Sequence, residues 1–165
     1  MANITLGGNA ITTNGTVPAT GTSAPSFTLK SVELKDISLN DFKGRKLILN
    51  IFPSVDTGVC AASVRHFNEK AAQLENTTVL CISRDLPFAQ ARFCGAEGIE
   101  NVVMLSDFQT GKFGKDYGLE IESGAFANLH SRVIIVVDEE GNIIYTEQVP
   151  EIGQDPDFEA ALATV

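Results

Sequence analysis

"NIFPSVDTGVCAASVRHFNEK", residues 50–70, holds the decisive junction of the chain. An apolar, strand-like run ends at Pro53. A polar turn follows, and Cys60 falls where apolar residues begin to recur at helical spacing. Val64, Phe67, Ala71 and Leu74 lie three and four apart, which predicts a helix over 58–75 with one apolar face. A strand feeding a helix is the building unit of an α/β fold. The cysteine at that junction has four readings: a packing residue, a metal ligand, half of a disulfide, or a nucleophile.

The flanking sequence repeats the same grammar. "ITLGGNAIT" reads as an N-terminal β-hairpin with a Gly-Gly-Asn turn. "PSFTLKS" (25–31) is a strand and "LNDF" (39–42) a short helical turn. "RKLILNIF" (45–52) and "TTVLCIS" (77–83) are near-continuous apolar runs, as expected of strands buried on both faces. "DLPFAQARFCGAEG" (85–98) predicts a helix with Asp85 as N-cap and Pro87 in the first turn. "NVVMLSD" (101–107) is a further strand, with a short helix over 109–116. "SRVIIVVD" (131–138) and "NIIYTEQV" (142–149) form an antiparallel pair around "EEG". "DPDFEAALATV" closes as a helix capped by Asp155, with Pro156 at its first position. Strands alternating with helices imply right-handed crossovers and parallel pairing in the middle of the sheet. The expectation is one domain over 1–165: a three-layer α/β fold with a mixed central sheet, flanking helices and an N-terminal hairpin.

Composition narrows the function classes. The chain has 165 residues, 44% of them hydrophobic, enough for a sizeable core. A net charge of -9 disfavours nucleic acid and anionic lipid as partners. No apolar run approaches membrane-spanning length. The N-terminus lacks the basic and apolar regions of a secretory signal, so a cytoplasmic location is expected. The three cysteines, Cys60, Cys81 and Cys94, include no C-x-x-C pair. His66 and His130 have no zinc-finger spacing to them, so neither a disulfide scaffold nor a structural metal is indicated.

The three thiols have different surroundings. Cys81 lies within a doubly buried strand, where a cysteine behaves as a small hydrophobe. Cys60 falls in the first turn of a helix that follows a strand. Unpaired N–H groups and the positive end of the helix dipole there favour thiolate over thiol. Cys94 lies near the C-terminal end of its helix, where the dipole works the other way, making it a poorer first nucleophile. Thr57 lies three residues before Cys60, and its hydroxyl is placed to cap the helix or bond a substrate. Pro53 fixes the strand exit and shields the site from water. A thiolate gains from a nearby cation, for which Arg65, Arg84, Arg92 and Arg132 are the candidates. Arg132 opens an apolar strand, where an isolated charge needs a partner. His66, six residues from Cys60, is off its helical face, and both histidines read as surface residues, which weakens a cysteine-protease reading.

"PSVDTGVC" (53–60) has the P-x-x-x-T-x-x-C pattern, and with it the chain resembles the peroxiredoxins, specifically their bacterial thiol peroxidase subfamily. The N-terminal hairpin, "SRDLPFAQARFC" and "SRVIIVVDEEG" extend the resemblance along nearly the whole chain. The resemblance implies a thioredoxin-like fold, Cys60 as the peroxidatic cysteine and Cys94 as the resolving one. It implies that Pro53, Thr57 and Arg132 complete the peroxide site, that thioredoxin is the electron donor, and that the protein is a homodimer with an antioxidant role. Cys81 corresponds to an accessory cysteine. No cofactor or metal is required. Because a disulfide needs Cα atoms within about 7 Å, the first turn after Thr57 and "ARFCG" are expected to unwind during turnover. Two other readings compete. A thioredoxin-type oxidoreductase needs C-x-x-C, where this chain has Cys60-Ala-Ala-Ser63. A redox sensor without turnover would keep the same thiolate site.

Overall fold

A computed structural model describes residues 1–165. The first two strands, β1 (Asn3–Leu6) and β2 (Asn9–Thr12), form a separate antiparallel hairpin. Its two turn residues, Gly7 and Gly8, have φ of 57° and 82°, the left-handed pair that a tight hairpin turn requires. Asn9 belongs to the second strand rather than to the turn.

Seven further strands form one sheet. They are β3 (Thr28–Ser31), β4 (Asp36–Ser38), β5 (Lys46–Ile51), β6 (Thr77–Ser83), β7 (Val103–Ser106), β8 (Val133–Val137) and β9 (Ile143–Gln148). The sheet order is β4-β3-β7-β6-β5-β8-β9. β5, β6 and β7 run parallel, while β8 joins β5 antiparallel and β9 pairs antiparallel with β8. The expected mixed sheet is present. β4 was not expected: three residues carrying Asp and Ser at a sheet edge leave no apolar pattern to read.

Four helices complete the chain: α1 (Gly58–Ala71), α2 (Pro87–Glu97), α3 (Lys112–Asp116) and α4 (Phe158–Leu162). The expected turn at Leu39–Phe42 is a 3-10 helix. α1 stops at Ala71 rather than 75, yet Leu74 still packs on the core after one tightened turn. α4 is capped by Asp157, whose side chain accepts from the Ala160 N–H at 3.0 Å, and not by Asp155.

The period-two alternation of the central strands divides the core between the two faces. Leu47, Leu49 and Ile51 of β5 share one face with Val133, Ile135 and Val137 of β8, packed under Phe113 and Tyr117. Ile48 and Phe52 face the other side with Cys81, Ile134 and Val136, under Val64 and Phe67 of α1. Phe67 is fully buried and meets Phe158 of α4 edge-on at 5.4 Å. Burying each such side chain contributes about 1.5–3 kcal/mol. α1 is thereby pinned to the sheet, and its N-terminus lies where β5 ends. A third, smaller cluster of Ile4, Ile11, Ile121 and Ile152 fastens the hairpin to the body.

Candidate active site

The site begins where β5 stops. Pro53 is buried and supplies no N–H to prolong the ladder. The loop that follows is tied to its neighbours rather than loose. The Asp85 carboxylate accepts from Ser54 Oγ at 2.7 Å, the Val55 N–H at 2.9 Å and Ser83 Oγ at 2.6 Å. Asp85 was expected to cap α2, but the N-cap there is Leu86, with no side-chain bond. The carboxylate serves the Cys60 loop because two hydroxyls and an amide converge on it. "SRD" at the end of a buried strand was the available signal.

Thr57 is the N-cap residue of α1 by its backbone, with φ −94° and ψ 144°. Its hydroxyl does not cap the helix, as one option had it; it donates to the Ser54 carbonyl at 3.0 Å. Its lone pairs remain free to accept. Cys60 is the third helical residue. The N–H groups of Gly58, Val59 and Cys60 find no acceptor within the chain, as expected at a helix start.

Cys60 is fully buried, and Arg132 Nη2 donates to its sulfur at 3.2 Å. The arginine comes from the residue just before β8, a strand that pairs directly with β5. The alternative of an exposed strand-edge arginine does not hold: Arg132 is 2% exposed. Its Nε donates to the Ile152 carbonyl at 2.8 Å, and its buried Nη1 has no partner. Arg65, Arg84 and Arg92 are occupied elsewhere, by Glu97, the Asn128 carbonyl and Asp56 respectively. None of the chain's ion pairs involves Arg132. A buried guanidinium without a carboxylate is costly, and the one side chain it donates to is Cys60.

The other candidates separate cleanly. Cys81 is fully buried beside Asn50, whose amide donates to its sulfur at 3.7 Å and to Ser63 of α1 at 3.2 Å. Burial pushes the Cys81 thiol up to about 12. Cys94 is half-buried on α2, and burial raises its thiol as well. It opens into a groove of about 320 Å³ with Val32, Ile37, Ile99 and Met104. Cys60, Cys81 and Cys94 are all free thiols. His66 is partly exposed and stacks on Phe158 with ring centres 4.4 Å apart. His130, expected at the surface, is instead fully buried, with Nε2 2.9 Å from Asp107. Asp107 also accepts the Gly114 N–H at 3.0 Å, so a carboxylate buried under α3 draws the imidazole inside.

The Redoxin family matches this chain over residues 19–162. The chain belongs to the redoxin family, in its bacterial thiol peroxidase branch. This redoxin is 57% identical to the thiol peroxidase of Mycobacterium tuberculosis (strain ATCC 25618 / H37Rv) over 165 residues, covering all of this chain and 99% of the other. It is 55% identical, with the same coverage, to the thiol peroxidase of Corynebacterium glutamicum. Among solved structures it is similar to a peroxiredoxin-like protein from Aquifex aeolicus, with a TM-score of 0.94 and 32% identity over 99% of this chain and 95% of that one. The thiol peroxidase from Chromobacterium violaceum has the same fold, with a TM-score of 0.91 at 23% identity over 99% of this chain and 95% of that one. The family and the thioredoxin-like fold expected from "PSVDTGVC" are therefore those of this redoxin.

Proposed function

We propose that this redoxin reduces hydrogen peroxide and organic hydroperoxides through Cys60, resolves the product with Cys94, and is recycled by thioredoxin. The observation that carries the reading is the Arg132–Cys60 contact, with Arg132 Nη1 left unpartnered beside it in a buried site. A peroxide has two oxygens to hold. The free Nη1 donor, the open N–H groups at the start of α1 and the accepting lone pairs of Thr57 supply what both oxygens need. Pro53, buried at the strand exit, keeps the cradle dry and adds no competing N–H.

The chemistry follows from that arrangement. The Cys60 thiolate attacks one peroxide oxygen and the O–O bond breaks. The attacked oxygen stays on sulfur as the sulfenic acid, and the other leaves with a proton as water or alcohol. Arg132 and the helix-start amides stabilise the charge that develops on the leaving oxygen. The Cys94 sulfur then attacks the sulfenic sulfur. An S–S bond forms and water departs with the thiol proton. A dithiol of thioredoxin type opens the disulfide by exchange and restores both thiols.

The second step requires movement. Cys60 touches the residue before β8, whereas Cys94 opens toward β7 and β3, and two strands lie between β7 and β8. Cys60 is closed off from solvent in α1 and Cys94 is held within α2, so the two sulfurs join only when a helix end opens. α2 is the element suited to move: within it only Pro87, Gln90 and Phe93 are buried, and it ends at Gly98 in the left-handed conformation. The homodimer implied by the resemblance and a cytoplasmic location belong to this same reading. No helix of the chain is long and apolar enough to cross a membrane.

The test is one equivalent of peroxide added to the reduced protein, followed by peptide mapping with differently labelled subunits mixed. A Cys60–Cys94 crosslink within one label supports the reading. Retained peroxide consumption in Cys60→Ser overturns it.

A further inference from the structure

The segment after β9 wraps around the arginine. The Val149 N–H donates to the Arg132 carbonyl at 3.0 Å, and three residues on, the Ile152 carbonyl accepts Arg132 Nε at 2.8 Å. The residue that carries this carbonyl is tied to the N-terminal hairpin. The Ile152 N–H donates to the Thr5 carbonyl at 2.9 Å, and its side chain, 2% exposed, packs between Ile4, Ile11 and Ile121. The Thr5 N–H donates in turn to the Pro150 carbonyl at 2.8 Å.

Glu151 is the knot of this clamp. Its carboxylate accepts the Gly8 N–H at 2.8 Å, the Gly7 N–H at 3.3 Å, the Thr5 hydroxyl at 3.1 Å and the Gly153 N–H at 3.0 Å. Successive N–H groups aim at one anion because both turn glycines are left-handed. These donors, Gly153 first and Gly8 next, hold the Glu151 carboxyl below its ordinary range.

We infer that the N-terminal hairpin positions the peroxide-binding guanidinium, and that Glu151, through Ile152, is a positioning residue for Arg132. The inference rests on the peroxidase reading of the Cys60 site. Glu151 touches neither Cys60 nor Arg132 and takes no part in bond making. It fixes the one carbonyl that sets the rotation of the guanidinium. With Nε anchored, Nη2 falls on sulfur and Nη1 is left for substrate. A misplacement of about 1 Å in such a group costs up to a hundredfold in rate.

The experiment has two readouts. The first is hydrogen exchange of the Arg132 Nε–H, followed by NMR of the full chain without peroxide. It should be protected in the native sequence and exchange at least tenfold faster in Glu151→Ala. The second is the rate constant of Cys60 with hydrogen peroxide. Glu151→Ala should lose about tenfold or more. Glu151→Gln, which keeps one carbonyl acceptor for Gly8, should lose less. In an Arg132→Lys background, Glu151→Ala should add less than about twofold, because the group it positions is gone. Equal losses in both backgrounds, or unchanged Nε exchange, overturn the inference. If the native protein ignores peroxide while Nε exchange still responds to Glu151, the clamp stands and the peroxidase reading falls.

Discussion

Arg132 and Cys60 face one another in a site closed to solvent, with Nη2 3.2 Å from the sulfur and Nη1 beside it without a partner. One nitrogen faces the sulfur and the other keeps its hydrogens unpaired. Only a forked cation can do both.

Arg132→Lys should therefore keep a positive charge yet lose the second donor. The rate constant of Cys60 with peroxide should fall by about a hundredfold or more, the scale of losing one donor to developing charge. Competition against a peroxidase of known rate checks this. A lysine variant with the native rate would show that charge alone suffices.

Cys94→Ser should react with a single equivalent of peroxide and then stall. Mass spectrometry should find Cys60 as a sulfenic acid or its further oxidation products, and thioredoxin-dependent consumption should be absent. Sustained cycling would move the resolving thiol to another residue or subunit.

Cys81 gives a pH prediction. A thiol raised from 9.0 to about 12 on folding holds its proton in the native state while the unfolded chain has already released it. The native state then binds more protons, so stability is full below pH 9 and declines as pH rises toward 12. One such group contributes a slope of up to about 1.4 kcal/mol per pH unit. Urea midpoints measured from pH 8 to 11 should fall less steeply in Cys81→Ala. The same variant should leave the peroxide rate within about twofold, since Asn50, and not the reacting centre, is the hydrogen-bond partner of this sulfur.

Asp85→Ala should loosen the loop that carries Thr57. It leaves the Val55 N–H and the hydroxyls of Ser54 and Ser83 without their acceptor. A stability loss of about 2–3 kcal/mol is expected, with a lower peroxide rate. Asp85→Asn, which retains an acceptor, should recover part of both. Thermal unfolding alongside the rate separates the two effects.

Much of this was legible in the chain because apolar period and turn chemistry are local. Thr77–Ser83 is the strand that "TTVLCIS" announces, and the Gly-Gly hairpin turn stands where its glycines are. What escaped depends on partners far away in sequence. Asp85 has the ordinary look of a helix cap until Ser54 and Val55 arrive from 31 and 30 residues away. His130 reads as a surface residue until Asp107 is found beneath α3. Arg132 could be singled out as one charge in an apolar run, and the resemblance named it, but its contact with Cys60 depends on β8 pairing with β5. The role of Ile152 has no sequence signal, since it acts through a backbone carbonyl.

The contact between Thr5 and Glu151 spans 146 positions of the chain. Synthesis runs from the N-terminus, so the hairpin and the cysteine helix emerge long before the segment that fastens them together. Until residues 149–152 are made and docked, Arg132 Nε lacks its carbonyl anchor. A chain halted before that segment therefore holds both Cys60 and Arg132 without the carbonyl that ties the hairpin to the guanidinium.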